Sequence, residues 1–268
     1  MKIAVSNIAW DLADEAGVFA VLSEMRIAGV EVAPTKVWGG WDGATAAAAK
    51  RLRGEFAEAG FVIPALQSIL FGCPDMKLFG NDAERAALLE HIGRVAELAA
   101  GMGARTLVFG APRNRDPGGL SPGEAMETAV PVLRQAGALC ARQGVWLGIE
   151  ANPPAYDCRF ITRWFEAAEL VRRCDSPGIR LHLDSACTAL TQDDLAEAAA
   201  ETADILAHVH ISEPQLGAFD TIQADHAGFG AALRRAGYDG WCSVEMRRSD
   251  DPPAAVRRAL DIVKSFYG

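Results

Sequence analysis

The sequence predicts one (β/α)₈ barrel, built as a single domain over residues 1–268. Three observations favour this fold. Short apolar runs with strand character alternate about eight times with longer runs of helical period. The length of 268 residues is usual for one such barrel. No low-complexity segment or long linker divides the chain. Alternating strands and helices require parallel strands with right-handed crossovers, and an open doubly wound sheet is the alternative arrangement.

Eight segments are predicted to form the strands. Each is short, mostly apolar and bounded by glycine, proline or polar residues, as is typical of buried parallel strands. In chain order they are KIAVS (2–6), GVEVA (29–33), FVIPALQ (61–67), ARTLVFG (104–110), VWLGIE (145–150), GIRLHLD (178–184), LAHVHI (206–211) and GWCSVEM (240–246).

Helices are predicted between these strands. Asn81, followed by Glu84, has the pattern of a capping box. Ser121 and Pro122 supply a cap and a first-turn proline. The predicted helical regions lie near residues 14–27, 43–59, 81–100, 121–143, 161–174, 191–202, 223–236 and 252–266.

Composition excludes several classes of protein. The net charge of -9 argues against a nucleic-acid-binding surface, which normally has a basic excess, and it gives no support for binding to anionic membranes. The six cysteines are far apart and read as buried thiols of a reducing compartment, since they form neither a disulfide pattern nor a zinc motif. The N-terminus lacks the features of a signal peptide and no stretch is long enough to span a bilayer, so a cytoplasmic location is expected.

The last four predicted strands share one pattern. Side chains alternate between the two faces of a strand, and in each of these strands one face is apolar and the other polar. The polar face ends, at the carboxyl end of the strand, in Glu150, Asp184, His210 or Glu245. In an α/β barrel this end of the strands forms the mouth of the active site. Because these four residues follow one another in the sequence at intervals of about one βα unit, their side chains are expected to converge on one point of the mouth.

Three carboxylates in one mouth repel one another, and a divalent cation removes that repulsion. A single Glu or His at a strand end is more often structural, but four at equivalent positions of consecutive strands predict a metal site. Oxygen-rich ligation with one imidazole suits Mn²⁺, Co²⁺, Mg²⁺ or Zn²⁺. The predicted ligands of this one ion are Glu150, Asp184, His210 and Glu245.

Five further residues are predicted to bind substrate, and four of them have a structural role as the alternative. Arg113 lies in a Gly/Pro-rich loop after the fourth strand and, with Arg115, has the chemistry to clamp a phosphate or carboxylate; for both arginines a solvated loop cation is the default interpretation. The others end a strand or follow one closely, on the side of the predicted mouth. The five residues are Asn7, Gln67, Arg113, Asn152 and Cys187.

Three more polar residues lie in the predicted barrel interior. Glu31 ends the second strand and has the same two interpretations as Asn7, a substrate contact or a satisfied core group. His182 and His208 lie one inward layer below Asp184 and His210. We expect both histidines to orient ligands or fill the barrel rather than to bind the ion.

At these residues the sequence resembles the sugar isomerase/epimerase superfamily of xylose isomerase-like TIM barrels, which includes ketose 3-epimerases, hydroxypyruvate isomerase, and inosose isomerases and dehydratases. The resemblance runs the whole length, from SNIAW through GIEANPP and LHLDSAC to VHISEP, and its most specific part is the ordered Glu, Asp, His, Glu quartet. It implies one metal ion, with Mn²⁺ favoured, and Glu150 and Glu245 as the proton-transfer pair. It also implies a small carbohydrate substrate and a homodimer or homotetramer.

The resemblance implies an isomerase or epimerase that transfers protons through a metal-stabilised enediolate of a keto-sugar, a polyol-derived ketone or a sugar phosphate. A dehydratase of the inosose or dehydroshikimate type on the same metal site is the alternative. Cys187 stands where many members have a histidine, and no arginine follows His210 closely. The resemblance therefore does not extend to the usual ketose 3-epimerase specificity. Endonuclease IV-like chemistry is disfavoured, since it needs three metals and many more than the five histidines here.

Overall fold

Eight parallel strands form one sheet in a computed structural model that describes residues 1–268. Neighbouring strands follow the order β2-β1-β8-β7-β6-β5-β4-β3. The strands are β1 (Lys2–Ser6), β2 (Gly29–Glu31), β3 (Ala65–Leu66), β4 (Thr106–Phe109), β5 (Trp146–Glu150), β6 (Ile179–Asp184), β7 (Leu206–Ser212) and β8 (Trp241–Glu245).

The two edges of the sheet, β2 and β3, meet and make the barrel nearly closed. Isolated bridges join Gly29 to Val62 and Val32 to Leu66. The amide of Val32 donates to the carbonyl of Ala65 at 3.1 Å, and the amide of Gln67 donates to the carbonyl of Val32 at 3.0 Å. The predicted barrel is therefore confirmed over the doubly wound sheet.

The third strand is much shorter than the segment 61–67 predicted for it. Only Ala65 and Leu66 have strand geometry. Pro64 has no amide proton to donate to a neighbouring strand, so regular pairing cannot run through it. Its carbonyl still accepts a hydrogen bond from the amide of Arg105 at 2.9 Å, which aligns the segment with the start of β4.

Ten α-helices surround the barrel, two more than predicted. The additional ones are short and follow a strand almost directly, where a periodic apolar pattern has too few residues to be recognised. The helices are α1 (Glu15–Glu24), α2 (Pro34–Trp38), α3 (Ala46–Glu58), α4 (Asp82–Met102), α5 (Pro122–Arg142), α6 (Trp164–Cys174), α7 (Ser185–Thr191), α8 (Leu195–Thr202), α9 (His226–Arg235) and α10 (Pro252–Tyr267).

The caps predicted from sequence begin two of the longest helices. The Asn81 side chain accepts from the amide of Glu84 at 3.0 Å, and the Glu84 carboxylate accepts from the amide of Asn81 at 2.8 Å. Ser121 and Glu124 form the same reciprocal pair at the start of α5, with Pro122 in its first turn. Each such cap stabilises a helix by roughly 1 kcal/mol.

The apolar core lies between the barrel and the helices. The outward faces of the strands supply fully buried side chains such as Val5, Leu147, Leu181 and Val209. All six cysteines are buried and free. None of the helices has the length and apolar character needed to cross a membrane. The inward faces are different, because they bury polar side chains in the interior of the barrel.

Candidate functional site

The four side chains predicted as metal ligands meet around one imidazole nitrogen. His210, in β7, points its Nδ1 atom toward the carboxylates that end the three other strands. This nitrogen lies 3.5 Å from Glu150 Oε1, 3.9 Å from Asp184 Oδ2 and 3.3 Å from Glu245 Oε2. The strand register accounts for part of this, since Asp184 pairs directly with His210 and Glu245 pairs with Ser212.

The chemistry of this cluster fits a divalent cation. His210 Nδ1 is buried and has no hydrogen-bond partner. Ligand atoms of Glu150, Asp184 and His210 all lie within 4.8 Å of one another. Three carboxylates and one imidazole form a hard, oxygen-rich donor set of the kind that Mn²⁺, Mg²⁺, Co²⁺ or Zn²⁺ accepts. These residues would hold such an ion.

Electrostatics in the cluster reflect an excess of negative charge. Burial and then the repulsion of Glu150 and Glu245 raise the pKa of Asp184 to about 7. Burial alone would lower the pKa of His210, but the nearby carboxylates, first Glu31 and then Glu245, outweigh it and raise that pKa well above its usual value. Both groups thus favour the protonated state, and a cation at the same point would remove the part of this preference that the carboxylate charges cause.

The pKa of Glu150 moves in the opposite direction from that of Asp184. Burial disfavours ionisation of Glu150, but the close approach of the His182 and His210 imidazoles to Glu150 Oε1, at 3.2 and 3.5 Å, outweighs it and holds the pKa below its usual value. The amide of Asn152 also donates to Glu150 Oε2 at 2.9 Å. Glu150 is therefore kept ionised, as a metal ligand requires.

Neighbouring groups hold the carboxylates in place. Asp184 caps α7, since its Oδ1 accepts from the amide of Cys187 at 2.6 Å, and its Oδ2 accepts from the Ser212 hydroxyl at 2.8 Å. Arg115 donates to the carbonyl oxygen of Glu150 at 2.7 Å. These bonds fix the ends of β5 and β6, from which two of the four side chains project.

Gly110, directly after β4, makes room for Glu150. A Cβ atom added at Gly110 would lie 1.8 Å from Glu150 Oε2 and 3.3 Å from Asn152 Nδ2. Any side chain here would displace the Glu150 carboxylate or its amide partner. The glycine is therefore required by close approach, and no backbone strain is involved.

Glu31 contacts the opposite side of His210. Its carboxylate accepts from His210 Nε2 at 2.8 Å and from His208 Nε2 at 2.7 Å. Burial opposes ionisation of Glu31, but the two imidazoles outweigh it and hold its pKa well below the usual value. Of the two interpretations of Glu31, the structure supports the satisfied core group, because it is fully buried and does not line the cavity.

The two lower histidines lie beneath the cluster, as expected. The His182 ring lies with its centroid 4.2 Å from that of His210, and His182 Nε2 lies 3.2 Å from Glu150 Oε1. Burial, followed by the charge of His210, lowers the pKa of His182 to about 4. His182 is thus a neutral group that packs below the ligands.

A cavity of about 910 Å³ opens above the cluster. Its floor includes all four predicted ligands, and its walls include four of the five predicted substrate groups, namely Gln67, Arg113, Asn152 and Cys187. Asn7 is not part of the lining. Its side-chain oxygen accepts from the amide of Ala33 at 2.8 Å, so the structure gives Asn7 a structural contact in place of the predicted substrate contact.

The wall residues differ in their surroundings. Gln67 donates to Ser6 Oγ at 2.6 Å and accepts from Ser68 at 3.1 Å. Arg113 is exposed and forms no ion pair. Burial, followed by the charges of Asp184 and Glu150, raises the pKa of Cys187 well above its usual value, so its thiol stays protonated.

Arg115 differs from the expectation of a solvated loop cation. It is only 1% exposed, and it donates to the carbonyl oxygens of Phe109 and Glu150 at 3.3 and 2.7 Å. Because its guanidinium group is turned inward to hold the ends of β4 and β5, it has no access to a substrate anion. Arg115 is not in the cavity lining.

Sequence reasoning also missed two residues of the site. Ser212 shares inward parity with His210, so the alternation in β7 contained a signal for its contact with Asp184. Tyr156 lines the cavity and accepts from the amide of Gln215 at 2.8 Å, and no local pattern indicated this.

Known proteins similar to this chain include several sugar epimerases. A ketose 3-epimerase of Arthrobacter globiformis is 27% identical over 112 residues, which cover 42% of this chain and 39% of that protein. A D-psicose 3-epimerase, crystallised in the presence of D-fructose, superposes with a TM-score of 0.82 at 15% identity over 100% of both chains. The IOLI protein with a bound zinc atom superposes with a TM-score of 0.77 at 16% identity, again over 100% of both chains.

The match to a family covers most of the chain. Residues 19–266 fit the family described as xylose isomerase-like TIM barrel. This region contains β2 to β8, all four residues that meet at the floor of the cavity, and Glu31 beneath them. The chain belongs to the xylose isomerase-like TIM barrel family.

Proposed function

We propose that this protein is a divalent-metal-dependent isomerase or epimerase of a small keto-sugar, a polyol-derived ketone or a sugar phosphate. The observation that carries this proposal is the convergence of three carboxylates on the unpartnered Nδ1 of His210 at the floor of a large cavity. Similarity to a ketose 3-epimerase and to a D-psicose 3-epimerase supports the reaction class.

The ligands are Glu150, Asp184, His210 and Glu245, with Mn²⁺ as the favoured ion and Co²⁺, Mg²⁺ or Zn²⁺ as the others that this donor set accepts. The zinc atom bound to the similar IOLI protein supports a divalent ion in a protein of this fold. When bound, the ion supplies Lewis-acid polarisation of a ketone oxygen, which acidifies the neighbouring carbon.

Glu150 and Glu245 are the proposed proton-transfer pair. They project from β5 and β8, on either side of the two central strands β6 and β7, so a substrate above His210 would lie between them. One glutamate would remove the proton next to the carbonyl, and the other would return a proton from the opposite face, which inverts the centre. Return of the proton to the adjacent carbon would isomerise the sugar instead.

The remaining wall residues would bind and orient the substrate. Gln67 and Asn152 offer amide groups to hydroxyls, and the exposed Arg113 offers a cation to a substrate phosphate or carboxylate. Cys187 and the preceding Ala186 present small side chains beside Asp184, where a histidine would occupy more of the cavity. We therefore expect the protein to prefer a substrate that has a larger or branched group beside Asp184. The dimer or tetramer that the resemblance implies stays a prediction, as does a cytoplasmic location.

The test is solvent deuterium incorporation. The protein loaded with Mn²⁺ is incubated in deuterated water with ketoses, inososes and sugar phosphates. Deuterium at the carbon next to the carbonyl, in a product of otherwise unchanged mass, is the expected result. A product that has lost water would identify the dehydratase alternative, and absence of exchange with every substrate class would overturn the proposal.

A further inference from the structure

The carboxylate of Glu31 lies inside the barrel, beneath the proposed metal ligands and outside the cavity. It is fully buried and belongs to β2, whereas both of its partners, His208 and His210, belong to β7. These hydrogen bonds cross the interior of the barrel, because β1 and β8 separate the two strands in the sheet. Nothing in the substrate chemistry requires this group, so its burial needs another explanation.

The hydrogen bonds to Glu31 determine the tautomer and the orientation of the His210 ring. An ionised carboxylate only accepts hydrogen bonds, so both Nε2 atoms that face Glu31 must carry protons. His210 then presents its unprotonated Nδ1 to Glu150, Asp184 and Glu245 once an ion is bound. A carboxylate behind a ligating imidazole sets the ring's tautomer and orientation and makes the ligand more basic.

We propose that Glu31 is a positioning residue that sets the metal affinity of the site through His210. The inference rests on the proposed metal centre and extends it to a strand that contributes no ligand. Glu31 itself touches neither the ion nor the substrate.

Replacement of Glu31 by glutamine tests this, because the side-chain shape is kept. Each Nε2–H faces its own oxygen of Glu31, and glutamine replaces one of these oxygens by an NH₂ donor, so in the wild-type geometry one Nε2–H would face another donor. One imidazole must move or change tautomer, and the neutral amide no longer raises the basicity of His210. We expect the dissociation constant for Mn²⁺, measured by titration calorimetry, to rise about 10–100-fold in Glu31→Gln. Glu31→Asp, which restores the charge, should recover part of the affinity.

The chain offers a matched control in Glu213. This glutamate is also buried and also accepts from a buried histidine, at 2.8 Å from His226 Nε2, but neither residue lines the cavity. Glu213→Gln should lose stability as any buried pair does when altered, with the Mn²⁺ affinity unchanged. A purely structural role for Glu31 would make the two variants behave alike.

A second measurement is independent of affinity. In the Zn²⁺-loaded protein, imidazole N–H protons that are hydrogen-bonded to a carboxylate give proton signals far downfield in NMR spectra. The His210 Nε2–H signal should be present in the wild type and in Glu213→Gln, and shifted or lost in Glu31→Gln. The metal stoichiometry should be one in the wild type and in both variants.

Three outcomes would overturn the inference. These are an unchanged dissociation constant in Glu31→Gln, an equal loss of affinity in Glu213→Gln, and a second ion in the wild type that disappears in Glu31→Gln, which would make Glu31 a ligand. None of these three measurements depends on catalytic activity. Failure of the proposed function would appear separately, as a wild-type protein that binds one Glu31-dependent ion but exchanges no deuterium into any sugar.

Discussion

The two halves of the barrel use the carboxyl ends of their strands differently. In β5 to β8 the polar side chains at these ends meet at one point, around His210 Nδ1. In β1 to β3 the corresponding side chains each bind a different part of the protein. Asn7 accepts from the amide of Ala33, Glu31 accepts from two histidines of β7, and Gln67 donates to Ser6.

The two halves of the barrel therefore have different roles. The second half supplies every proposed ligand, and there burial and neighbouring carboxylates raise the pKa of Asp184, whereas neighbouring imidazoles lower the pKa of Glu150. The first half supplies hydrogen bonds that hold loops and rings in place, and Gln67 is the one residue at its strand ends that also lines the cavity. A polar residue at the mouth of a barrel is therefore not by itself evidence for a catalytic role, and the test is whether its hydrogen-bonding atoms are already engaged.

The largest effect is expected for a proton-transfer residue of the second half. Glu150→Gln keeps the shape of the side chain and removes both the base and a charged ligand atom. The rate of deuterium exchange into the substrate should fall by at least about 10²–10⁴-fold, as for loss of a general base. Mass spectrometry of the recovered sugar measures it, with thermal unfolding as the control for folding. Undiminished exchange would show that Glu150 does not transfer the proton. The second half of the barrel would then differ less from the first.

Asp184→Asn should mainly affect metal binding. The asparagine oxygen can still accept from the amide of Cys187 and cap α7, so the local fold is retained. We expect the Mn²⁺ dissociation constant to rise by more than the roughly 10–100-fold typical of a residue one step removed from the ion. Calorimetric titration measures this. A dissociation constant within a few-fold of the wild type would show that Asp184 is not a ligand.

The stabilisation of the protein by added metal should depend on pH, because Asp184 is buried close to the other carboxylates of the site. The pKa of Asp184 is about 7 in the fold, above its ordinary value of 3.8, so the metal-free folded state holds a proton that the unfolded state releases between these values. The metal-free protein therefore loses stability as pH rises through this window. Added Mn²⁺ should raise the melting temperature little below the window and several degrees above pH 7. A pH-independent shift, or one largest in acid, would contradict this.

The smallest functional effect is expected in the first half. Asn7→Ala removes the acceptor for the buried amide of Ala33, which should cost about 1–3 kcal/mol in the free energy of unfolding, measured with urea. The metal affinity and the exchange rate of the folded variant should match those of the wild type. A selective loss of substrate affinity would instead restore Asn7 as a substrate contact.

Much of this arrangement could be predicted because it follows local patterns. Alternation along β5 to β8 separated apolar from polar faces, and the spacing of one βα unit brought Glu150, Asp184, His210 and Glu245 to a common end. Helix caps such as Asn81 with Glu84 depend on residues only three apart. The fold and the composition of the cavity floor are both consequences of such short-range regularities.

Other contacts had no local signal. Glu31 and its histidines are separated by 177 and 179 residues, and alternation says which face a residue occupies but not which partner it reaches. The contacts of Arg115 could not be predicted for a different reason, because a charged residue in a Gly/Pro-rich loop is ordinarily solvated. Its burial depends on backbone carbonyls whose positions only the folded loop defines.

The hydrogen bonds that Glu31 sends across the barrel bear on how far this protein can be divided. A fragment holding β5 to β8 would contain every proposed ligand and would look, as a sequence, like a self-sufficient catalytic module. It would lack the carboxylate behind His210, which enters from a strand more than a hundred residues earlier in the chain. Recombining half-barrels from different relatives would thus need β2 and β7 to be inherited as a pair.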